Sequence, residues 1–152
     1  MDKLDRQIID VLQDDGRATN AGIARCTGVS EGTVRRRLKR LVSEKYINVV
    51  ALLDPPKVGY NSEALIGLQV QPDKIDQVAD KLTTLDEMSW VSVTTGAFDI
   101  FAWATLDSPE SLGNFLRTKV GTILGVQRTE TFVNLSVKKR GVGLSTKLWS
   151  DG

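Results

Sequence analysis

Residues 19–45 read TNAGIARCTGVSEGTVRRRLKRLVSEK, two helix-length segments divided by a tight turn. Thr19 or Asn20 suits the cap of a short helix containing Ala21, Ile23 and Ala24, which Gly28 ends. Ser30 then caps a second helix running from Glu31 to about Lys45. Its apolar stripe is Val34, Leu38, Leu41 and Val42, at i, i+4, i+7 and i+8. Arg35, Arg36, Arg37, Lys39 and Arg40 cannot all share that stripe, so they project elsewhere. Upstream, Leu4, Ile8, Ile9, Val11 and Leu12 recur at helical spacing, with Asp2 and Asp5 near the positive end of that helix's dipole. The pattern stops at Asp14-Asp15-Gly16. Three short helices are expected, the last two joined by the tight Thr27-Gly28-Val29-Ser30 connection of a helix-turn-helix.

In that motif the second helix enters the major groove N-terminus first, because a groove ~12 Å wide admits one helix. Glu31, Gly32, Thr33, Arg35 and Arg36 then lie nearest base edges, Arg37 and Arg40 are placed to serve phosphates, and the capping Ser30 counts with them among the DNA-binding residues. Arginine presents paired donors to guanine or phosphate that lysine cannot reproduce. A basic run alone is more often a solvated face; the preceding helix, the turn and the serine cap favour the DNA reading. Charge distribution agrees. The 152-residue chain has a net charge of only +1, but residues 1–53 hold ten Lys/Arg against seven Asp/Glu. Within Glu31–Lys45 the count is six against two. Double-stranded DNA is the expected partner.

Composition excludes several classes. The chain is 41% hydrophobic and 26% charged, as in soluble globular proteins. It has no apolar run of the ~18 residues a membrane helix needs. MDKLDRQIID carries charges through its first turns and no secretory signal is visible, so a cytoplasmic location is expected. The histidine count is zero, which removes Ser-His and Cys-His nucleophile pairs and most zinc and haem sites. No catalytic residue, metal or cofactor is expected. The single cysteine, Cys26, excludes an internal disulfide and is expected as a buried thiol.

Ile47–Leu53 (INVVALL) has strand propensity and is expected as a wing or first hinge strand. Asp54-Pro55-Pro56-Lys57 interrupts it, and Gly59 supplies a further turn. The expected division is a DNA-binding domain over 1–53, a stiff linker over 54–62, a second domain over 63–141 and a tail over 142–152. From Ser62 the periods alternate: strand at Ala64–Val70, helix from Pro72, strands at Trp90–Thr95 and Asp99–Leu106. A helix follows from Ser108-Pro109-Glu110, then a last strand at Gln127–Val137. The order βαββαβ is the ferredoxin-like arrangement, giving an α+β chain. One sheet face is left without helices, so a homodimer packed sheet to sheet is expected. Trp90 and Trp103 are assigned to core or dimer packing, and Trp149 in the tail to docking on a neighbouring surface.

The succession LDRQIIDVLQDDGR, IARCTGVSEGTVRRRLKRL and YINVVALLDPPKVGY resembles the leucine-responsive/asparagine regulator (Lrp/AsnC, feast/famine) family of prokaryotic transcription factors, from Leu4 to about Lys139. The resemblance implies a winged helix-turn-helix joined by a hinge to a ferredoxin-like (RAM-type) domain that regulates by binding amino acids, with dimers assembling further, for example to an octamer. Thr95-Gly96-Ala97-Phe98-Asp99 resembles the family's threonine-glycine-aspartate-tyrosine-aspartate turn, which implies a small-molecule site there between neighbouring dimers. Ala97 and Phe98 depart from that pattern, as does Lys45 where the family usually has glycine. In this reading Asp99 receives an ammonium group, while Thr129 and Thr131, two apart on a strand, donate hydroxyls to a carboxylate. Purely structural roles are open for each: a hairpin turn at Gly96, a turn-bonding Asp99, strand-surface threonines. Two other functions are open, a ligand-independent architectural DNA-binding protein and a family-related decarboxylase, the second disfavoured by the missing histidine.

Overall fold

Asp2 starts the first helix, α1 (Lys3–Asp14), with a reciprocal cap: its side chain accepts from the Asp5 amide, and Asp5's side chain accepts from the Asp2 amide. Thr19 caps α2 (Asn20–Thr27) by accepting from Gly22 N at 3.0 Å, and Gly28 ends it in the left-handed conformation, φ 73°. Ser30 caps α3 (Glu31–Ser43) by accepting from Thr33 N. The three helices enclose Ile8, Ile9, Ile23, Val34 and Leu41, with Leu4, Val11, Leu12, Val29 and Ile47 around them. Each fully buried aliphatic side chain contributes about 1.5–3 kcal/mol. The computed structural model describes residues 1–140. Its compact units are Met1–Leu52 and Leu53–Lys139.

The chain leaves α3 through Lys45, the one described non-glycine residue with positive φ, 59°. The Tyr46 amide donates to Leu41 O and the Lys45 amide to Val42 O, the paired bonds of a Schellman terminus. The strand expected at 47–53 is absent: these residues have no regular structure, and Val49, Val50, Leu52 and Leu53 are exposed. Propensity alone does not make a strand; a ladder needs a partner, and the regular elements among the described residues 1–52 are all helical. The two prolines instead open a short 3₁₀ turn, Pro55–Val58, closed by Gly59 at φ 92°.

The second unit is built on four strands: β1 (Ser62–Val70), β2 (Met88–Val93), β3 (Ile100–Leu106) and β4 (Val126–Val133). They lie in the order β2-β3-β1-β4, every neighbouring pair antiparallel. Helix α4 (Ile75–Thr83) and helix α5 (Pro109–Phe115) with its π-helical extension Leu116–Val120 complete the βαββαβ order. Alternation along β1 and β3 puts Ala64, Ile66, Leu68, Val70, Ile100, Ala102, Ala104 and Leu106 into one core with Val78 and Leu82 of α4 and Leu112 and Phe115 of α5. β4 stops four residues before the expected Val137. The Asn134 amide closes the ladder on Glu63 O, and β1 has only Ser62 beyond that point.

The opposite sheet face carries Leu65, Phe101, Trp103 and Phe132. Trp103 is half-buried and Trp90, expected in a core or an interface, is 51% exposed. Cys26 is exposed, contrary to expectation. It lies three residues beyond Ile23, on the flank of α2 rather than on its buried face. The tail assignment for Trp149 lies outside the described residues.

Because Lys45 holds a left-handed conformation that costs a non-glycine residue about 1–2 kcal/mol, part of which glycine's extra chain entropy cancels, Lys45→Gly is expected to stabilise the helical unit by about 0.5–1 kcal/mol. Urea unfolding followed by helical circular dichroism checks this; an unchanged or lowered midpoint contradicts it.

Candidate nucleic-acid interface and effector loop

At 3.6 residues per turn the side chains of α3 fall into rows. Val34 and Leu41 form the buried one. Thr33, Arg37 and Arg40, at i, i+4 and i+7, form a half-buried row beside it, and Gly32, Arg36, Lys39 and Ser43, at i, i+4, i+7 and i+11, are all exposed. Arg35 stands next to the exposed row and pairs with Glu31 at 3.1 Å, one turn earlier. A Cβ on Gly32 would meet nothing within 4 Å, so the helix backbone is bare where a groove would approach it. Lys39 belongs to this surface although the sequence reading left it out; its spacing from Gly32 and Arg36 was the available signal. Ser30 and Thr33 are tied to each other, Oγ to Oγ1 at 2.9 Å, besides the cap.

Arg37 and Arg40 were expected at phosphates, and the structure engages them otherwise. Arg37 Nη1 donates to Asp2 Oδ2 at 2.5 Å and to Asp5 Oδ1 at 3.2 Å; Arg40 Nη2 donates to Asp5 Oδ2. The Asp5 side chain is fully buried, whereas those of Arg37 and Arg40 keep 26% and 40% of their exposure. The half-buried row of α3 is thus bolted to the first turn of α1. The Asp5 amide, then the Arg37 guanidinium, hold the Asp2 carboxyl at about 2, and Asp2 in turn raises Arg37.

In the second unit the Thr94–Asp99 loop is knitted to the end of β1. The Asp99 amide donates to Leu68 O, Asp99 Oδ2 accepts from the Val70 amide at 2.8 Å, and Gln69 Nε2 donates to Ala97 O at 3.0 Å. Thr94 Oγ1 donates to Phe98 O. Gly96 takes φ 114°, with open space where a Cβ would stand. The Phe98 ring lies over Gly67, where a Cβ would come within 2.8 Å of it, and meets Phe101 and Phe132 edge-on at 5.3 and 6.4 Å. Gly67 therefore makes the seat for that ring.

Strand register places the two threonines. Thr131 pairs with Ile66 and Thr129 with Leu68, so both share the helix-covered face. Phe98 lies on the other face, with Phe101 and Phe132. The structure brings Gly96, Ala97, Phe98 and Asp99 together around Leu68–Val70, and puts Thr129 and Thr131 on the edge strand with the opposite facing.

A capped basic helix in a three-helix head, joined to a ferredoxin-like unit, defines a two-part transcriptional regulator. Residues 1–42 match the AsnC-type helix-turn-helix domain, and residues 63–144 match the Lrp/AsnC ligand binding domain. The chain belongs to the Lrp/AsnC family. It is 43% identical over 142 residues to an uncharacterised HTH-type transcriptional regulator of Pyrococcus furiosus, covering 93% of this chain and 96% of that one. The HTH-type transcriptional regulator Ptr1 of Methanocaldococcus jannaschii is 34% identical over the same shares. Among solved structures, AsnC of E. coli superposes with a TM-score of 0.85 at 28% identity, covering 93% of this chain and 97% of that one. The transcriptional regulator NMB0573 of Neisseria meningitidis, solved as its L-Met complex, gives 0.87 at 26%, covering 95% and 96%.

The lowered Asp2 carboxyl carries a pH dependence. A depressed folded-state value contributes stability above the ordinary 3.8 and loses it as pH falls toward 2. Asn is an equally good helix cap, so Asp2→Asn removes the charge and keeps the cap. The variant is expected to melt below the parent at pH 5 and to converge with it near pH 2. A gap that stays constant across that range contradicts the ion pair.

Proposed function

We propose that this chain binds double-stranded DNA through the exposed face of α3, as a homodimer that assembles further, and that an amino acid bound at the Gly96–Asp99 loop shifts that assembly. In this reading Glu31, Arg35 and Arg36 meet base edges, Lys39 meets phosphate, and Ser30 and Thr33 fix the helix start that enters the groove. The observation that carries it is the contrast along α3: among the described residues Arg36 and Lys39 form no ion pair, while Arg37 and Arg40 are committed to α1. The reading head spans residues 1–53 and the assembly domain follows the proline turn. A regulator rather than a catalyst fits the absence of histidine, and the cytoplasm is where a prokaryotic DNA-binding protein meets its target.

Association is supported by the sheet face bearing Leu65, Trp90, Phe101, Trp103 and Phe132, an apolar surface of the kind that drives pairing in water. An amino-acid effector is supported by the family's ligand binding domain and by L-Met in the Neisseria regulator. Asp99 uses Oδ2 on Val70, which leaves Oδ1 to receive an ammonium group; Thr129 and Thr131 face the helix-covered side of the sheet and are not part of this site. Octamers are the larger assembly expected from the family.

The DNA reading is tested by selecting bound duplexes from a random pool and titrating parent and Arg36→Ala against the selected and an unselected duplex. The variant is expected to lose about 1–3 kcal/mol on the selected duplex, with a much smaller loss on the other. Equal losses on both place Arg36 on phosphate only, and a variant that binds both duplexes as the parent does removes it from the interface.

The effector reading is tested by melting the full chain with each of the twenty amino acids. A binder raises the melting temperature in proportion to ln(1 + [L]/Kd). Asp99→Asn is expected to abolish the rise, and Thr131→Val, on the other face of the sheet, to leave it unchanged. An undiminished rise in Asp99→Asn, or a rise lost in Thr131→Val, moves the site elsewhere.

A further inference from the structure

We infer that Asp5, with Asp2 beside it, is a specificity-determining residue for DNA recognition, because it withholds two of the recognition helix's five clustered guanidinium and ammonium groups from the phosphate backbone. The inference deepens the DNA reading and rests on it. Arg35, Arg36, Arg37, Lys39 and Arg40 are clustered on α3. Phosphate contacts add affinity for any sequence, whereas base contacts discriminate. A helix offering all five cations to phosphate would bind random duplex tightly and gain little from its operator.

The geometry shows how that outcome is avoided. One fully buried carboxylate takes both cations, Oδ1 from Arg37 and Oδ2 from Arg40, while Oδ2 also accepts from the Asp2 amide. Asp2 Oδ2 takes a second bond from the same Arg37 nitrogen. Arg40 Nε is buried with no hydrogen-bond partner, so its guanidinium has been drawn against the protein at a desolvation cost that only the carboxylate offsets. Two negative and two positive charges cancel here. Without Asp5's charge, an arginine holding 40% of its side-chain exposure turns outward to water or to a phosphate. Asp5 acts through Arg37 and Arg40 and touches no base, which makes it a positioning residue for the interface.

The test is the salt dependence of binding by the full chain to a random-sequence 30-base-pair duplex, read by fluorescence anisotropy across a KCl series. Each added phosphate contact steepens log Kd against log[KCl] by about 0.9. Asp5→Asn is expected to bind the random duplex more tightly, with a slope steeper by about one to two, and to narrow the ratio between selected and random duplex. The exposed Asp2→Asn, which leaves Asp5 in place, is expected to steepen it by about one at most. In the parent background Arg37→Gln is expected to leave the slope unchanged.

A slope unchanged in Asp5→Asn, with weaker binding to both duplexes, overturns the inference and makes Asp5 a packing residue only. A slope flattened by about one in Arg37→Gln overturns it independently of how Asp5→Asn folds, since Arg37 would then already be on a phosphate. A parent chain that binds neither duplex at 50 mM KCl removes the DNA reading and the inference together, whereas parent binding with the wrong slopes removes the inference alone.

Discussion

A single buried carboxylate fixes the geometry of the reading head. Asp5 closes the cap of α1, and it accepts hydrogen bonds from two arginines of α3 while fully withdrawn from water. Removing one partner from a buried ion pair costs about 3–5 kcal/mol, since the other charge is left stranded. Against an apolar replacement such a pair gains little, so its contribution here is orientation. It sets the rotation of α3 about its own axis, and that rotation decides which cations face outward. Gly32, Arg36 and Lys39 form the outward row while Arg37 and Arg40 are turned to the start of α1.

The second unit rests on a different constraint, the one-sided cover of a four-stranded sheet. α4 and α5 bury the face bearing Ile66, Leu68, Ile100 and Ala102, and the other face keeps its aromatic residues. At one end of that face Gly67 seats Phe98, and the loop before β3 is tied to β1 through Asp99 and Gln69. Asp99 is thereby both a strut of the loop and the group proposed to receive an effector. Departures from the family's turn at Ala97 and Phe98 fall where this packing happens: an aromatic ring without a hydroxyl suits an apolar seat on Gly67 and Phe101.

What was legible in the sequence was local. The Ser30 cap, the Val34, Leu38 and Leu41 part of the α3 stripe (Val42, also expected on it, is exposed), the Asp14-Asp15-Gly16 stop, the Ser108-Pro109 helix start and the alternation in β1 and β3 all depend on neighbours within a turn or a strand. What was not legible needed a distant partner. Nothing near Arg37 in the chain shows that Asp2 and Asp5 lie against it, because the pairing spans 32 to 35 residues. The strand propensity of 47–53 was real, but among the described residues no strand pairs with it. The facing of Thr129 and Thr131 came from the register with Ile66 and Leu68, which a single strand does not encode. Lys39 and Cys26 were legible in principle: counting rows from Gly32 and from Ile23 places each on an exposed flank.

In the proposed complex α3 presents Arg35 and Arg36 to DNA while Arg37 and Arg40 stay bound to Asp5. Arginine side-chain NMR of the full chain, following the Nε–Hε resonances as duplex is added, tests it most directly. The Arg35 and Arg36 resonances are expected to move with DNA, and those of Arg37 and Arg40 to stay in place. Movement of all four together, or of Arg37 and Arg40 alone, would contradict it.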